Sequence, residues 1–506
     1  MGYTTAISTF AGGILSPDLI DSMTPGHFRF IVCSAFLDNQ LFRVVEFNAL
    51  PAAPYAAVSY PWSGLEAPNP PPNSFFRLPL EGGQISDPIS LDVLRTACLA
   101  ARQADTDLLW IDQICIRQTS AQDKDWQISH MFALYDRCRL CLVLPGGLQR
   151  LASPAEETNW IERSWTLQEA MPESTHVIFA WELRCGRLSE TLTTGYIQEI
   201  EKGRSAMMEL GKLLQAAYVG PLGWREEHVR VRLFGPNPDP ILALMGVKEA
   251  QGQEMRDMAV WRSALLRTCS HPRDMILSIM GIFGVTLDAA SYQRGDREKA
   301  AADLAFEMLR KGRNASWLGA APAASLSLSS VCSMPPFPVV DGREVYYTVD
   351  GCKRKPWEVM GSNLVWYVKP VATTSMPDRG AGRLHLTAKS LAVKLQDLKP
   401  DGRPDWGGFN FAASLILDEG PERGNTVKIN LSASVAEGGY QAVVVGMVHH
   451  FCLPATAARA VKGAALLMVL TWSPSMGGWE TVAYGTIAQV EDVARTWPEG
   501  VHSLGC

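Results

Sequence analysis

Hydrophobic and polar positions alternate along much of the first 185 residues, and the period of the alternation changes from segment to segment. Over residues 28–50, Phe30, Val32, Phe42, Val44 and Phe47 sit among polar neighbours, which predicts β structure. Ala56-Ala57-Val58-Ser59-Tyr60 is a short apolar run closed by Pro61, the mark of a buried strand. Residues 64–88 are rich in Pro and Gly and predict a long loop. Ser90 is an N-cap ahead of Leu91, Leu94, Cys98 and Ala101, which fall at helical spacing. Leu108 to Ile111 predicts a second buried strand ending at Asp112. A helix follows from about Ala121, with Ile128, Met131, Phe132 and Tyr135 as its apolar stripe and Asp123, Lys124 and Asp125 in its first turn. Leu140 to Leu144 predicts a third strand, stopped by Pro145-Gly146-Gly147. A short helix over Trp165 to Ala170 and a fourth strand over Val177 to Trp181 complete the series.

Strands alternating with helices in this way predict an α/β fold, a parallel sheet with helices on both faces. Ligands in such sheets sit at the carboxyl ends of the strands. Ser59, Tyr60 and Asp112 fall at or just past those ends, and Glu169 lies on the helix after the third strand. Residues 186–320 read mainly as helix, best at Met207–Ala217, Val260–Arg267, Asp274–Phe283 and Arg297–Leu309. Residues 321–338 read as an Ala-, Ser- and Pro-rich linker. Strand patterns then dominate at Val345–Val349, Leu364–Val368, Leu384–Leu395, Ala442–Val448 and Leu466–Trp472. The expected organisation is an α/β domain at 28–185, a helical extension at 186–320, the linker, and a β-rich module at 339–506.

Composition narrows the function classes. With 506 residues the chain has room for two to four domains of about 150 residues. A hydrophobic content of 47% against 19% charged residues excludes general disorder. A net charge of −6 argues against a nucleic-acid binder. The 11 cysteines are odd in number and scattered, which fits reduced thiols in a cytoplasmic protein rather than a disulfide framework. Cys138 and Cys141 form one CxxC with no second pair or His pair at ligand spacing, so no metal is expected. The N-terminus lacks the pattern of a secretory signal, and Ala6 stands where a myristoylation signal has Ser or Thr. The longest apolar runs, Met275–Leu287 and Ala464–Trp472, fall short of the roughly 18 residues of a membrane span.

Three segments resemble the heterokaryon-incompatibility (HET) domain of fungal proteins. They are Tyr55-Ala56-Ala57-Val58-Ser59-Tyr60-Pro61-Trp62-Ser63-Gly64; Leu109-Trp110-Ile111-Asp112-Gln113-Ile114-Cys115-Ile116-Arg117-Gln118, followed by Gln127-Ile128, Met131 and Tyr135; and Arg163-Ser164-Trp165-Thr166-Leu167-Gln168-Glu169. The third fits the family pattern throughout. The first has Ser63 between Trp62 and Gly64, which stand adjacent in the family, and the second has Arg117 where Asn is common. Pro272-Arg273-Asp274, followed by Ile276 to Gly281, is similar to a segment downstream in many such proteins. The family is distantly similar to Toll/interleukin-1 receptor (TIR) domains. That similarity implies a flavodoxin-like sheet and, by analogy with TIR domains that cleave NAD, a catalytic carboxylate at Glu169. The implied role is non-self recognition and programmed cell death, with NAD as a substrate rather than a bound cofactor.

Cleaving the nicotinamide–ribose bond builds positive charge on the ribose, which a fixed carboxylate stabilises. Glu169 supplies that carboxylate in this reading; Ser59, Tyr60, Trp62, Asp112 and Trp165 are the candidate substrate contacts, Trp165 lying one helical turn before Glu169. The plainer readings are a capping Glu beside a core Trp, an Asp capping a turn, strand-end packing for Ser59 and Tyr60, and core aromatics for Trp62 and Trp110. No Gly-rich phosphate loop follows a strand. Cys115, between Ile114 and Ile116, reads as packed, with His130 the nearest His. His449-His450 are adjacent on a strand pattern, so they face opposite ways and make poor joint ligands. Two other functions stay open: a non-catalytic module that signals by assembling with its own copies or a protein partner, and a diverged member that keeps only the fold.

Overall fold

The computed structural model describes residues 2–15, 22–181, 197–219, 222–224, 227–250, 252–320, 337–342, 344–349 and 351–360, and strand backbone between 366 and 505. The expected linker at 321–338 falls almost wholly outside these residues. The chain divides into two compact units: Met1–Ile241 with Leu277–Gln293, and Leu242–Ile276 with Arg294–Cys506.

The first unit is built on a nine-stranded sheet. Its strands are β1 (Gly2–Ala6), β2 (Phe28–Val32), β3 (Leu41–Phe47), β4 (Tyr55–Ser59), β7 (Leu108–Trp110), β8 (Leu140–Val143), β9 (Thr175–Ala180), β10 (Gln198–Glu201) and β11 (Ser205–Glu209), with the small hairpin β5 (Phe75–Phe76) and β6 (Ile89–Ser90) apart from it. The spatial order is β1-β3-β2-β7-β4-β8-β9-β11-β10. The four central strands, β7-β4-β8-β9, run parallel. The outer strands on either side are antiparallel. Among the parallel strands the order is second, first, third, fourth, the flavodoxin-like arrangement. The expected parallel α/β core is therefore present, flanked by antiparallel strands, of which β1 comes before residue 28 and β10 and β11 after residue 185.

Central strands are covered on both faces, which is why β4 is buried at all five positions. The helices α2 (Leu91–Gln103) and α4 (Ala121–Asp136) are the crossovers that join β4 to β7 and β7 to β8. The Ser90 hydroxyl caps α2 by accepting from Val93 N at 3.3 Å, and Val93, Leu94, Ala97, Cys98 and Ala101 face the sheet. Ser120 caps α4 in the same way, and Gln127, Met131, Leu134 and Tyr135 line its buried face.

Two local expectations are corrected. Residues 28–50 are not continuous β structure: Cys33–Asn39 forms the helix α1 between β2 and β3. Asp107 accepts from Ser34 N at 2.8 Å and from the Ser34 hydroxyl at 2.7 Å, fixing the first turn of α1, and Gln40 ends it in the left-handed conformation (φ 55°). The helix expected over Met207–Ala217 begins only at Leu210, because Ser205–Glu209 pairs with β9; the helix is α6 (Leu210–Val219). A hairpin, β12 (Leu222–Trp224) and β13 (Glu227–Val229), also interrupts the stretch read as helical.

In the second unit, helix α8 (Gln253–Leu265) buries Trp261 against Trp317, and Asp257 on α8 pairs with Arg313 at 2.6 Å. Helix α10 (Arg297–Arg310) falls where its pattern predicts. Strands β14 (Val339–Asp341), β15 (Glu344–Val349) and β16 (Cys352–Arg354) form a meander. The remaining strands form a nine-stranded sheet. Within it β19 (Arg383–Gln396), β20 (Ala412–Leu417) and β21 (Thr426–Asn430) make one meander, and β22 (Tyr440–His450), β23 (Ala464–Ser473) and β24 (Gly478–Ile487) a second. Pairings of β19 with β22 and of β21 with β24 close the six into a ring.

Candidate functional site

The carboxyl ends of β4 and β8 flank the point where the parallel order reverses, the place where open α/β sheets bind ligands. The loops leaving these two strands meet there at backbone contact. Leu65 N donates to Gly146 O at 2.8 Å, and a Cβ on Gly64 would lie 2.2 Å from that same oxygen. Gly147, at φ 84°, faces Gly64 from the other loop. The Pro145-Gly146-Gly147 stop and the Gly64 of the first motif thus serve one another. Ser63, the extra residue between Trp62 and Gly64, is exposed.

Two polar clusters hang on this edge. In the first, the Ser59 hydroxyl donates to Glu169 Oε2 at 2.5 Å, and Trp160 Nε1 donates to Ser59 Oγ at 2.8 Å. Ser59 and Trp160 are wholly buried and Glu169 is 7% exposed. Glu169 ends the short helix α5 (Thr166–Glu169), and Trp165 lies one turn before it, partly buried against the core. The Cys141 thiol on β8 donates to the Glu169 carbonyl at 3.1 Å, and the Thr166 hydroxyl donates to the Trp160 carbonyl at 2.8 Å. The helix carrying Glu169 is thereby held from β4, from β8 and from the segment before it.

In the second cluster, Asp112 accepts from the Tyr60 hydroxyl, from Trp62 Nε1 at 2.5 Å and from Gln113 N at 2.6 Å. Asp112 does not end a strand: it opens the one-turn helix α3 (Asp112–Cys115) that follows β7. Burial pushes its carboxyl above the usual range; the Tyr60, Trp62 and Gln113 donors and the field of Arg163 pull the other way without cancelling it. Burial, with the Asp112 carboxylate beside it, holds the Tyr60 phenol well above its ordinary value. Trp62 is 39% exposed, which corrects its reading as a core aromatic, whereas Trp110 is core at 1%. Tyr135 on α4 lies between the clusters: its hydroxyl donates to Val58 O at 2.9 Å, and it feels the charges of Glu169 and Asp112.

The sequence reading picked out Ser59, Tyr60, Trp62, Asp112, Trp165 and Glu169, and missed Trp160 and Tyr135 as their supports. Trp160 stands three residues before the third motif, and no spacing rule links it to Ser59, because the contact is tertiary. Cys115 and His130 are not partners. Cys115 is fully buried with its thiol pushed up to about 12 by burial, and His130 stacks on Trp126 at 4.1 Å. Among the described residues no group of three or more His, Cys, Asp or Glu is placed to hold a metal ion. Likewise, no helix of the described residues is long and apolar enough to cross a membrane. A depression of about 560 Å³ lies at the amino end of β4, between Pro51–Tyr55 and the Arg137 and Arg139 side chains, and gathers none of the candidate residues.

Residues 55–152 match the family model described as Heterokaryon incompatibility protein (HET). The match takes in the first two motifs, the reversal point of the sheet and Asp112, and stops short of Glu169. Searches of curated proteins and of solved structures find no match.

Proposed function

We propose that the first unit acts as a HET domain in fungal heterokaryon incompatibility, and that it acts by cleaving the nicotinamide–ribose bond of NAD, leading to cell death. The observation that carries this reading is the Ser59–Glu169 hydrogen bond of 2.5 Å at the reversal point of the sheet. A carboxylate fixed in a water-poor setting stabilises positive charge developing nearby far better than one in bulk water. As the C1′–N bond breaks, its electron pair leaves with nicotinamide and the ribose becomes an oxocarbenium ion, which water then captures. Glu169 is the group that stabilises this cation. Trp62, tethered through its only polar atom and exposed on its ring, offers a stacking surface for one of the two heteroaromatic rings of NAD.

One observation favours a second reading. Glu169 is only 7% exposed and ties α5 to β4. In a non-catalytic module that signals by self-assembly, this tie is structural. The experiment is nicotinamide release from NAD by the full chain at concentrations that drive self-association, with wild type, Glu169→Gln and Glu169→Ala, alongside thermal melting. Release abolished in both variants, with melting of Glu169→Gln unchanged, is the expected result. No release from wild type overturns the NAD reading. A large melting loss in Glu169→Gln without any release supports the structural tie.

A further inference from the structure

Trp160 belongs to no motif read from the sequence, yet its indole is wholly buried with its N–H spent on Ser59 Oγ at 2.8 Å. An indole nitrogen can only donate. Ser59 Oγ must therefore accept from it, and the Ser59 proton must go elsewhere. The acceptor in line is Glu169 Oε2 at 2.5 Å. A carboxylate only accepts, whereas a protonated carboxyl can donate. Ser59 thus spends one lone pair on Trp160 and its proton on Glu169. The Trp160 carbonyl also accepts from Thr166 on the helix that carries Glu169, so one residue grips both ends of the arrangement.

We propose that Trp160 and Ser59 form a hydrogen-bond relay that orients Glu169. Trp160 and Ser59 are positioning residues here, and the catalytic use of Glu169 rests on the NAD reading above. The charged and titratable groups around the relay are Tyr135 on α4, Cys141 on β8, and Tyr60, Asp112 and Arg163 beside the strand ends. All of these are unchanged in the variants used to test it.

The test is an indole ¹⁵N–¹H spectrum of the full-length protein. The Trp160 signal is assigned by its loss in Trp160→Phe or, if that variant does not fold, as the signal moved most by Ser59→Ala. The expected result is that Glu169→Gln, two bonds along the relay, also moves this signal, while Glu156→Gln on a half-buried ion pair with Arg150 does not. If Ser59→Ala moves the signal and Glu169→Gln leaves it still, the relay does not reach Glu169 and the proposal is overturned. Where wild type releases nicotinamide, Trp160→Phe is expected to lower kcat about tenfold, the size of one lost neutral hydrogen bond of about 1.4 kcal/mol, with KM little changed. A rise in KM at unchanged kcat also overturns it. Should wild type release none, the NAD reading fails by itself, and the spectrum still decides the relay.

Discussion

Two of the polar networks in the first unit hold their carboxylates in different ways. Around Arg29, fully buried on β2, two carboxylates share one guanidinium. Arg29 pairs with Asp123 at 2.9 Å and Glu46 at 3.1 Å, and also donates to the carbonyls of Cys115 and Thr24. Asp123, equally buried, takes Gly26 N and Arg117 N as well. At the carboxyl end of β4, by contrast, Asp112 is held by a phenol, an indole and a backbone N–H, all neutral donors. Ion pairing locks the second motif onto β2 and leaves nothing for a ligand. Neutral donors fix a carboxylate while leaving its charge to act on its surroundings.

That contrast can be broken by substitution. Arg29→Met strands Asp123 and Glu46 without their cation and is expected to cost about 3–5 kcal/mol in denaturant melts. A loss under about 1 kcal/mol would refute the ion-paired reading, and adding Asp123→Leu should recover part of the loss. Gly64→Ala puts a methyl 2.2 Å from Gly146 O, backbone against backbone, and should cost about 1–3 kcal/mol with a shift in Trp62 fluorescence. An unchanged melt and spectrum would mean that the two loops part freely.

Asp112→Asn should cost only about 1 kcal/mol, because burial already disfavours the charge that it removes. The pH dependence sharpens this. Folded Asp112 keeps its proton to higher pH than the unfolded chain, so its contribution is whole below the unfolded value and is lost as pH rises through the folded one. Wild type should therefore lose stability relative to Asp112→Asn across that window; the opposite slope would reverse the assignment. Trp62→Phe, at a 39% exposed position, should change stability by no more than about 0.5 kcal/mol while weakening NAD binding measured by calorimetry. Unaltered binding would remove Trp62 from the site.

Much of the centre of the sheet was legible from sequence because buried parallel strands carry their signal locally. Tyr55–Ser59, Leu108–Trp110 and Leu140–Val143 lie within a residue of the apolar runs that predict them. The cap at Ser90 follows from the same local chemistry. Less was legible where a distant residue decides the outcome. Asp123 looks like an ordinary first-turn acid, and only the approach of Arg29 makes it a buried ion. Cys33–Asn39 turns helical because Asp107, more than 70 residues on, ties down Ser34. Within the candidate site, single side chains at strand ends could be picked out from position. Their pairing, Ser59 with Glu169 and Tyr60 and Trp62 with Asp112, depends on loops whose conformation no local rule specifies.

Gly281 carries a consequence for how the protein can be taken apart. A Cβ there would lie 2.2 Å from the Phe132 Cβ, so residues from the far side of a long excursion pack directly on α4. The first unit is accordingly discontinuous, and the chain passes between the units three times, after Ile241, Ile276 and Gln293. Neither unit is a bead on a string. A chain cut after Ile241 keeps every motif of the candidate site but loses the piece that seats the helix carrying Tyr135. Domain dissection, the usual first step with a multidomain protein, would here test a damaged unit, and excision has to follow the interleaving rather than the sequence order.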